Sequence, residues 1–125
     1  MSTRLLLVED NEVYRSSLEL LLGLQPDLEV AGAVGAGDEA AEAAARLHVD
    51  VVLMDYRLPG IDGAAATRAV IASSGAAVVC LTAEATPEER DDVVHAGAVG
   101  LVEKGGPIEA LASAIREAAP SQPAG

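Results

Sequence analysis

The chain has 125 residues, half of them apolar, and a net charge of −12 from eight basic and twenty acidic side chains. This length fits one domain with a single core, and the negative charge argues against direct nucleic-acid binding, which needs a basic surface. The single cysteine, Cys80, excludes a disulfide framework or a thiolate metal cluster within the chain. Apolar runs are too short for a signal peptide or a membrane span, so we expect a cytoplasmic protein without a membrane partner.

The first half of the chain alternates apolar strands with helical patterns. An apolar run predicts a strand from about Arg4 to Val8, and leucine spacing predicts a helix over residues 12–24. A second strand is predicted over residues 28–34. Asp38 is a candidate cap for an alanine-rich helix that follows and runs through residue 46 or 47.

The second half continues the alternation. A strand over residues 50–55 precedes a helix over residues 63–73 with Asp62 as its predicted cap, and a fourth strand covers residues 76–82. Residues 86–89, Thr-Pro-Glu-Glu, combine a cap, a first-position proline and a third-position glutamate, which predicts a helix start. A fifth strand over residues 99–103 and a last helix opened by residues 105–107 complete the pattern. Alternating strands and helices predict βαβ units in a parallel sheet.

Polar residues close four of the five predicted strands. They are the pair Glu9 and Asp10, the single Asp55, Thr82 and Lys104. Open α/β sheets bind ligands beyond the carboxyl ends of their strands, so we expect these side chains to converge at one edge. Oxygen ligands there favour Mg²⁺.

Other metals and other candidate ligands are disfavoured. Zinc prefers histidine and cysteine ligands, but His48 and His95 are predicted to be solvated in or after helices. Cys80 lies within an apolar strand and is interpreted as a small buried hydrophobe.

This residue set suits phosphoryl transfer, which depends mostly on positioning and on charge neutralisation. An aspartate carboxylate can act as a nucleophile and form an acyl phosphate. Asp55 is the best candidate because it closes the central strand alone. The Lys104 ammonium and the Thr82 hydroxyl can then contact phosphoryl oxygens.

The polar strand ends belong to four segments: Leu-Leu-Leu-Val-Glu-Asp-Asn-Glu (5–12), Val-Val-Leu-Met-Asp-Tyr-Arg-Leu-Pro-Gly-Ile-Asp-Gly (51–63), Val-Val-Cys-Leu-Thr-Ala (78–83) and Gly-Ala-Val-Gly-Leu-Val-Glu-Lys (97–104). These segments resemble the receiver domain of two-component response regulators. The resemblance covers about residues 4–118 and implies a doubly wound, flavodoxin-like α/β fold with a five-stranded parallel sheet in the order 2-1-3-4-5. We expect a receiver domain over residues 1–118 and a tail or linker start over residues 119–125.

The resemblance also implies a metal site. Asp55 would be the phosphoacceptor, and Asp10 and Asp55 would ligate Mg²⁺ directly. Glu9 would act through water, and the main-chain carbonyl of Arg57 would be the third protein ligand.

The phosphoryl group would be held by Thr82 and Lys104, helped by the backbone N–H groups of Tyr56, Arg57 and Ala83. By the same resemblance, the donor is a phosphohistidine on a sensor histidine kinase. The domain would not be an enzyme, since it assists only its own phosphorylation and dephosphorylation.

Three positions depart from the family pattern. Leu101 stands where a tyrosine or phenylalanine usually lies three residues before the lysine, which puts the usual coupling to the threonine in doubt. Gly105 stands where a proline often follows the lysine, and Val49 where a proline is common. Arg57 and Glu84 flank the predicted mouth of the site, and we expect them to pair across it and slow the attack of water.

The last segment, residues 106–119, is similar to receivers that precede a helix-turn-helix DNA-binding domain. A fragment cut at its linker is favoured over a stand-alone receiver. Homodimerisation through the first and last helices is an expectation from the family alone.

Two other function classes stay open at this stage. A phosphate-independent interaction module of the same fold would explain Leu101. An enzyme is disfavoured because a flavodoxin needs a Ser/Thr/Gly-rich loop where residues 9–11 are Glu-Asp-Asn. An aspartate-nucleophile phosphatase needs a second acid where Arg57 stands.

Overall fold

The computed structural model describes residues 2–120, which form one five-stranded parallel sheet flanked by helices. The strands are β1 (Thr3–Val8), β2 (Leu28–Val34), β3 (Val51–Asp55), β4 (Ala77–Thr82) and β5 (Gly100–Glu103). The helices are α1 (Glu12–Gly23), α2 (Ala40–Leu47), α3 (Gly63–Ser74), α4 (Pro87–Ala96) and α5 (Ile108–Ala118). The sheet order β2-β1-β3-β4-β5 confirms the predicted doubly wound topology. The predicted tail lies mostly outside the described residues.

Local capping explains where two of the helices begin. The Asp62 carboxylate accepts a hydrogen bond from the Ala65 N–H at 2.8 Å, and the Thr86 hydroxyl accepts one from the Glu89 N–H at 3.1 Å. Both caps were predicted. The predicted cap at Asp38 is wrong, because a turn of 3₁₀ helix (Gly37–Glu39) contains that residue and α2 begins after it without a side-chain cap.

The core has two layers, one on each face of the sheet. Alternate residues of each strand point to opposite faces, so that Leu5 and Leu7 pack under α1 and α5 while Leu6 and Val8 pack under α2, α3 and α4. The helices contribute mainly small or branched side chains to these layers. They include Leu18, Leu22, Leu111 and Ile115 on the first face and Ala43, Ala44, Ala66, Val70 and Val93 on the second.

Strand register brings the polar strand ends to one edge. Val8 lies beside Met54, so that Glu9 and Asp55 follow at the same height. On the other side of β3, Asp55 lies beside Leu81, the residue before Thr82. Parallel pairing therefore produces the convergence that the sequence predicted.

Cys80 is fully buried in β4, and both histidines are exposed, as predicted. Within residues 2–120, every helix is too short or too polar to cross a membrane.

Candidate functional site

Three carboxylates form an acidic cluster at the carboxyl edge of the sheet. One oxygen each from Glu9, Asp10 and Asp55 lies within 4.8 Å of the other two. Glu9 and Asp55 are buried, whereas Asp10 is exposed at the rim. This combination of hard oxygen ligands and access to water fits Mg²⁺, which usually keeps several waters.

Lys104 lies between the two buried carboxylates. Its Nζ is 2.6 Å from Glu9 Oε1 and 3.2 Å from Asp55 Oδ2. The Lys104 N–H donates to the Thr82 carbonyl at 2.7 Å, which fixes the chain where β5 ends, and the ammonium lies 5.0 Å from the centre of the Tyr14 ring. Burial alone would lower the pKa of Lys104, but the hydrogen bond to Glu9 and the charge of Asp55 outweigh it and raise that pKa. The lysine is therefore held as a cation.

The Asp55 carboxyl is strongly perturbed. Burial, and next the negative charge of Glu9, raise the pKa of Asp55 from 3.8 to about 6, although Lys104 opposes this shift. The ammonium can offset only one of the three carboxylates in the cluster. Two excess negative charges in a partly dehydrated site favour a divalent cation.

Glu9 already has a protein donor for each carboxylate oxygen. Oε1 accepts from Lys104, and Oε2 accepts from the Asn11 N–H at 3.0 Å. Direct metal ligation would compete with these bonds, whereas an intervening water would not. Asp10 is exposed at the rim, where its carboxylate is accessible to a cation.

Thr82 is buried next to this cluster, and its hydroxyl is directed to a residue that the sequence analysis did not place in the site. Thr82 Oγ1 donates to Glu89 Oε1 at 2.5 Å, with a longer approach of 3.3 Å to the Glu84 carbonyl. Glu89 lies in the first turn of α4. The sequence around Glu89 is accounted for by a helix start, so no local signal indicated that its side chain would reach the site.

Arg57 pairs with Glu89 as well. Its Nη2 lies 3.3 Å from Glu89 Oε2, while the guanidinium is otherwise exposed. The expected pair between Arg57 and Glu84 is therefore wrong for this structure, because the first turn of α4 presents a carboxylate nearer to the guanidinium. Glu84 contributes its backbone carbonyl near Thr82.

The backbone after Asp55 forms a tight turn over the site. The Arg57 N–H donates to Asp55 Oδ1 at 3.2 Å, so it points to the carboxylate. The Tyr56 N–H, also predicted to bind a phosphoryl group, instead donates to the Leu81 carbonyl at 2.7 Å. Ala83, the third predicted backbone donor, is exposed directly after Thr82.

Tyr56 forms a second contact between the segment after Asp55 and α4. Its hydroxyl donates to Asp92 Oδ2 at 2.8 Å. This hydrogen bond, more than the partial burial, raises the pKa of the Tyr56 phenol to about 12. Together with Glu89, Asp92 links one face of α4 to the loop that follows β3.

The two departures near the lysine have local structural consequences. Leu101 is half-buried and packs against the core layer under α3 and α4, with no group that can hydrogen-bond. Gly105 has a φ of 85°, a left-handed conformation that proline cannot adopt, so the local turn itself calls for glycine.

The sequence matches the response regulator receiver domain family over residues 5–116, which is most of the chain. This chain belongs to the response regulator receiver family.

The curated relatives that this chain matches are longer than the chain. The receiver is 35% identical to "Transcriptional regulatory protein LiaR" of Bacillus subtilis (strain 168), across 96% of this chain and 57% of the relative. It is also 35% identical to "Response regulator UvrY" of Escherichia coli (strain K12), across 89% of this chain and 51% of the relative. The chain therefore spans about half the length of the curated relatives it matches.

Solved structures agree with the fold. The response regulator domain of Thermotoga maritima CheB superposes with a TM-score of 0.89 at 26% identity, over 98% of this chain and 100% of that domain. The receiver domain of the putative response regulator NarL from Mycobacterium tuberculosis gives 0.83 at 26% identity, over 92% and 97%. These matches confirm the family and the fold predicted from the sequence.

Proposed function

We propose that this receiver is a phosphorylation-controlled switch that accepts a phosphoryl group on Asp55 with Mg²⁺. The observation that carries the proposal is the position of Asp55 Oδ2, buried 3.2 Å from the Lys104 ammonium within the acidic cluster. Family membership supports phosphorylation-dependent signalling in general, and the acidic cluster fits the cation.

The proposed reaction joins an Asp55 carboxylate oxygen to phosphorus as the bond from phosphorus to the donor breaks. The donor's leaving group departs with that electron pair, and Asp55 becomes an acyl phosphate. Lys104 would turn its ammonium toward one phosphoryl oxygen, and the Thr82 hydroxyl and the Arg57 and Ala83 N–H groups would donate to the others. Mg²⁺, when bound, would neutralise phosphoryl charge.

The metal would be held by Asp10, Asp55 and the Arg57 carbonyl, with Glu9 acting through water. The Glu9 hydrogen bonds to Lys104 and Asn11 support the indirect role. The Tyr56 N–H would have to leave the Leu81 carbonyl to reach a phosphoryl group.

Intact-mass measurement tests the proposal. The protein is incubated with acetyl phosphate and Mg²⁺, and we expect the wild type to gain the mass of one phosphoryl group. Asp55→Asn should gain none, whereas Asp38→Asn, an exposed site with the same change of charge, should behave as the wild type. A wild type without mass gain would overturn the proposal and favour the phosphate-independent interaction module.

We also propose the phosphoryl donor and the output of this receiver. The donor would be a sensor histidine kinase, and the output would be transcription through a DNA-binding domain joined after residue 118, where α5 ends. The name of the LiaR relative, a transcriptional regulatory protein, supports this output. A homodimer through α1 and α5 is supported by large exposed apolar side chains on α1 and directly after it: Val13, Leu20, Leu21 and Leu24.

A further inference from the structure

Glu89 is a buried carboxylate that the proposed phosphorylation chemistry leaves unused. Only 6% of its surface is exposed, although it belongs to α4, a short and polar helix. One of its oxygens accepts the Thr82 hydroxyl at 2.5 Å, and the other lies 3.3 Å from Arg57 Nη2. Glu89 thus joins two residues of the proposed site to a single helix.

The Thr86 N–H at the start of α4 is a second group able to bind the Glu89 carboxylate, although here it donates elsewhere. In a complete capping box, the third-position glutamate accepts from the backbone N–H of the capping residue. Here only half of the box is present, because the Thr86 hydroxyl accepts from the Glu89 N–H but the Thr86 N–H donates to the Glu84 carbonyl at 3.1 Å. The Glu89 carboxylate is turned inward to Thr82 instead.

A hydroxyl has one proton, so Thr82 can donate to only one strong acceptor at a time. A phosphoryl group on Asp55 and the Glu89 carboxylate would both require that proton. We propose that Glu89 is a positioning residue that holds the Thr82 hydroxyl in the unphosphorylated receiver, so that a phosphoryl group must compete with it. This inference rests on the proposed function, in which Thr82 contacts the phosphoryl group.

The competition gives α4 two alternative attachments. When Thr82 donates to the phosphoryl group, the Glu89 carboxylate keeps only Arg57 as its partner in the site. It can then displace the Glu84 carbonyl from the Thr86 N–H, which completes the capping box. The apolar attachment of α4 is small, with Val93 and Ala96 as its buried apolar residues. A change in the contacts of Glu89 therefore removes much of the attachment that holds the start of α4. Phosphorylation would shift this helix between two states, one with Glu89 bound to Thr82 and one with Glu89 bound to Thr86.

This arrangement does not need an aromatic residue at position 101. Leu101 lacks a hydrogen-bonding group, but Thr82 already contacts α4 through Glu89. A change in the hydrogen bonding of the Thr82 hydroxyl would therefore affect α4 directly, through its hydrogen bond to Glu89.

Binding of trifluoroberyllate, a stable mimic of a phosphoryl group, tests the competition. Its dissociation constant is measured with Mg²⁺ in excess by NMR titration. A hydrogen bond to a charged acceptor is about twice as strong as one to a neutral acceptor. Glu89→Gln should therefore release Thr82 more easily and tighten binding about fivefold.

Two controls separate this mechanism from simple charge repulsion. Glu88→Gln makes the same charge change at an exposed neighbour and should alter binding less than about twofold. In a Thr82→Val background, where no hydroxyl is available, Glu89→Gln should have no effect. Equal tightening in that background, or equal tightening by Glu88→Gln, would overturn the proposal.

A measurement without phosphate or beryllium distinguishes failure of this inference from failure of the proposed function. Three-bond couplings of the Thr82 side chain report its rotamer in the free protein. We expect one Thr82 rotamer in the wild type. In Glu89→Ala we expect averaging over several rotamers, because the Thr82 hydroxyl loses the carboxylate that accepts its hydrogen bond. Unchanged couplings in Glu89→Ala would contradict the positioning role, whereas a wild type that fails to bind trifluoroberyllate would contradict the proposed function alone.

Discussion

Neutralising Asp55 should make the metal-free protein more stable. Burial and the charge of Glu9 raise the pKa of this carboxyl from 3.8 to about 6 in the folded state. A folded-state pKa above the unfolded value means that the folded protein binds the proton more tightly, so stability falls as pH rises between these two values. The Asp55→Asn variant does not titrate and should escape this loss.

The magnitude follows from the shift. About two pKa units at 1.36 kcal/mol each correspond to a gain of about 3 kcal/mol for Asp55→Asn at pH 7.5. At pH 5 the Asp55 carboxyl of the folded protein is still mostly protonated, so the gain should be about half as large. The variant also loses the ion pair between Lys104 and Asp55. This loss is already included in the figure of about 3 kcal/mol, because the Lys104 charge lowers the Asp55 pKa from which the figure is calculated.

Urea unfolding in EDTA at both pH values provides the measurement. Asp38→Asn is the control, because it removes one negative charge from a protein of net charge −12 at an exposed position. A gain for Asp55→Asn no larger than that for Asp38→Asn, or one that is the same at pH 5 and pH 7.5, would contradict a raised Asp55 pKa as the cause.

Mg²⁺ at a hundred times its dissociation constant should add about 2.7 kcal/mol to the unfolding free energy of the wild type; a gain just as large for Asp55→Asn would contradict the cation site. A Cβ at Gly63 would lie 2.5 Å from the Asp55 carbonyl oxygen, whereas one at Gly23 meets nothing within 4 Å. Urea unfolding should therefore show Gly63→Ala destabilised by roughly 3 kcal/mol and Gly23→Ala slightly stabilised. Asp92→Asn should lower the Tyr56 phenol pKa from about 12, as read from phenolate absorbance, and an unchanged titration would refute the hydrogen bond as its cause.

The sequence predicted the fold well because its signals were local and periodic. Short apolar runs, such as residues 5–8, 51–54 and 77–81, predicted the strands within one residue of their observed ends. The strand-end position of Asp55 and Lys104 then followed from parallel pairing. Asp38 was misplaced because a 3₁₀ turn and an N-cap both favour aspartate, and only tertiary context decides between them.

The contacts between α4 and the site could not be predicted in the same way. Glu89 is seven residues from Thr82 and thirty-two from Arg57, and its local sequence is fully explained by a helix start. Its inward turn depends on how α4 lies on the sheet, which side-chain packing sets. The same packing brings Glu89, rather than Glu84, to Arg57.

The scarcity of aromatic residues has an optical consequence. The chain has two tyrosines and no tryptophan or phenylalanine. Tyr14 lies against the Lys104 ammonium, and Tyr56 directly follows Asp55 and bonds to α4. All of the intrinsic ultraviolet emission of this receiver therefore comes from the rim of the candidate site. The tyrosine fluorescence of unlabelled protein can thus test the proposed metal and phosphoryl binding with no background from elsewhere in the chain.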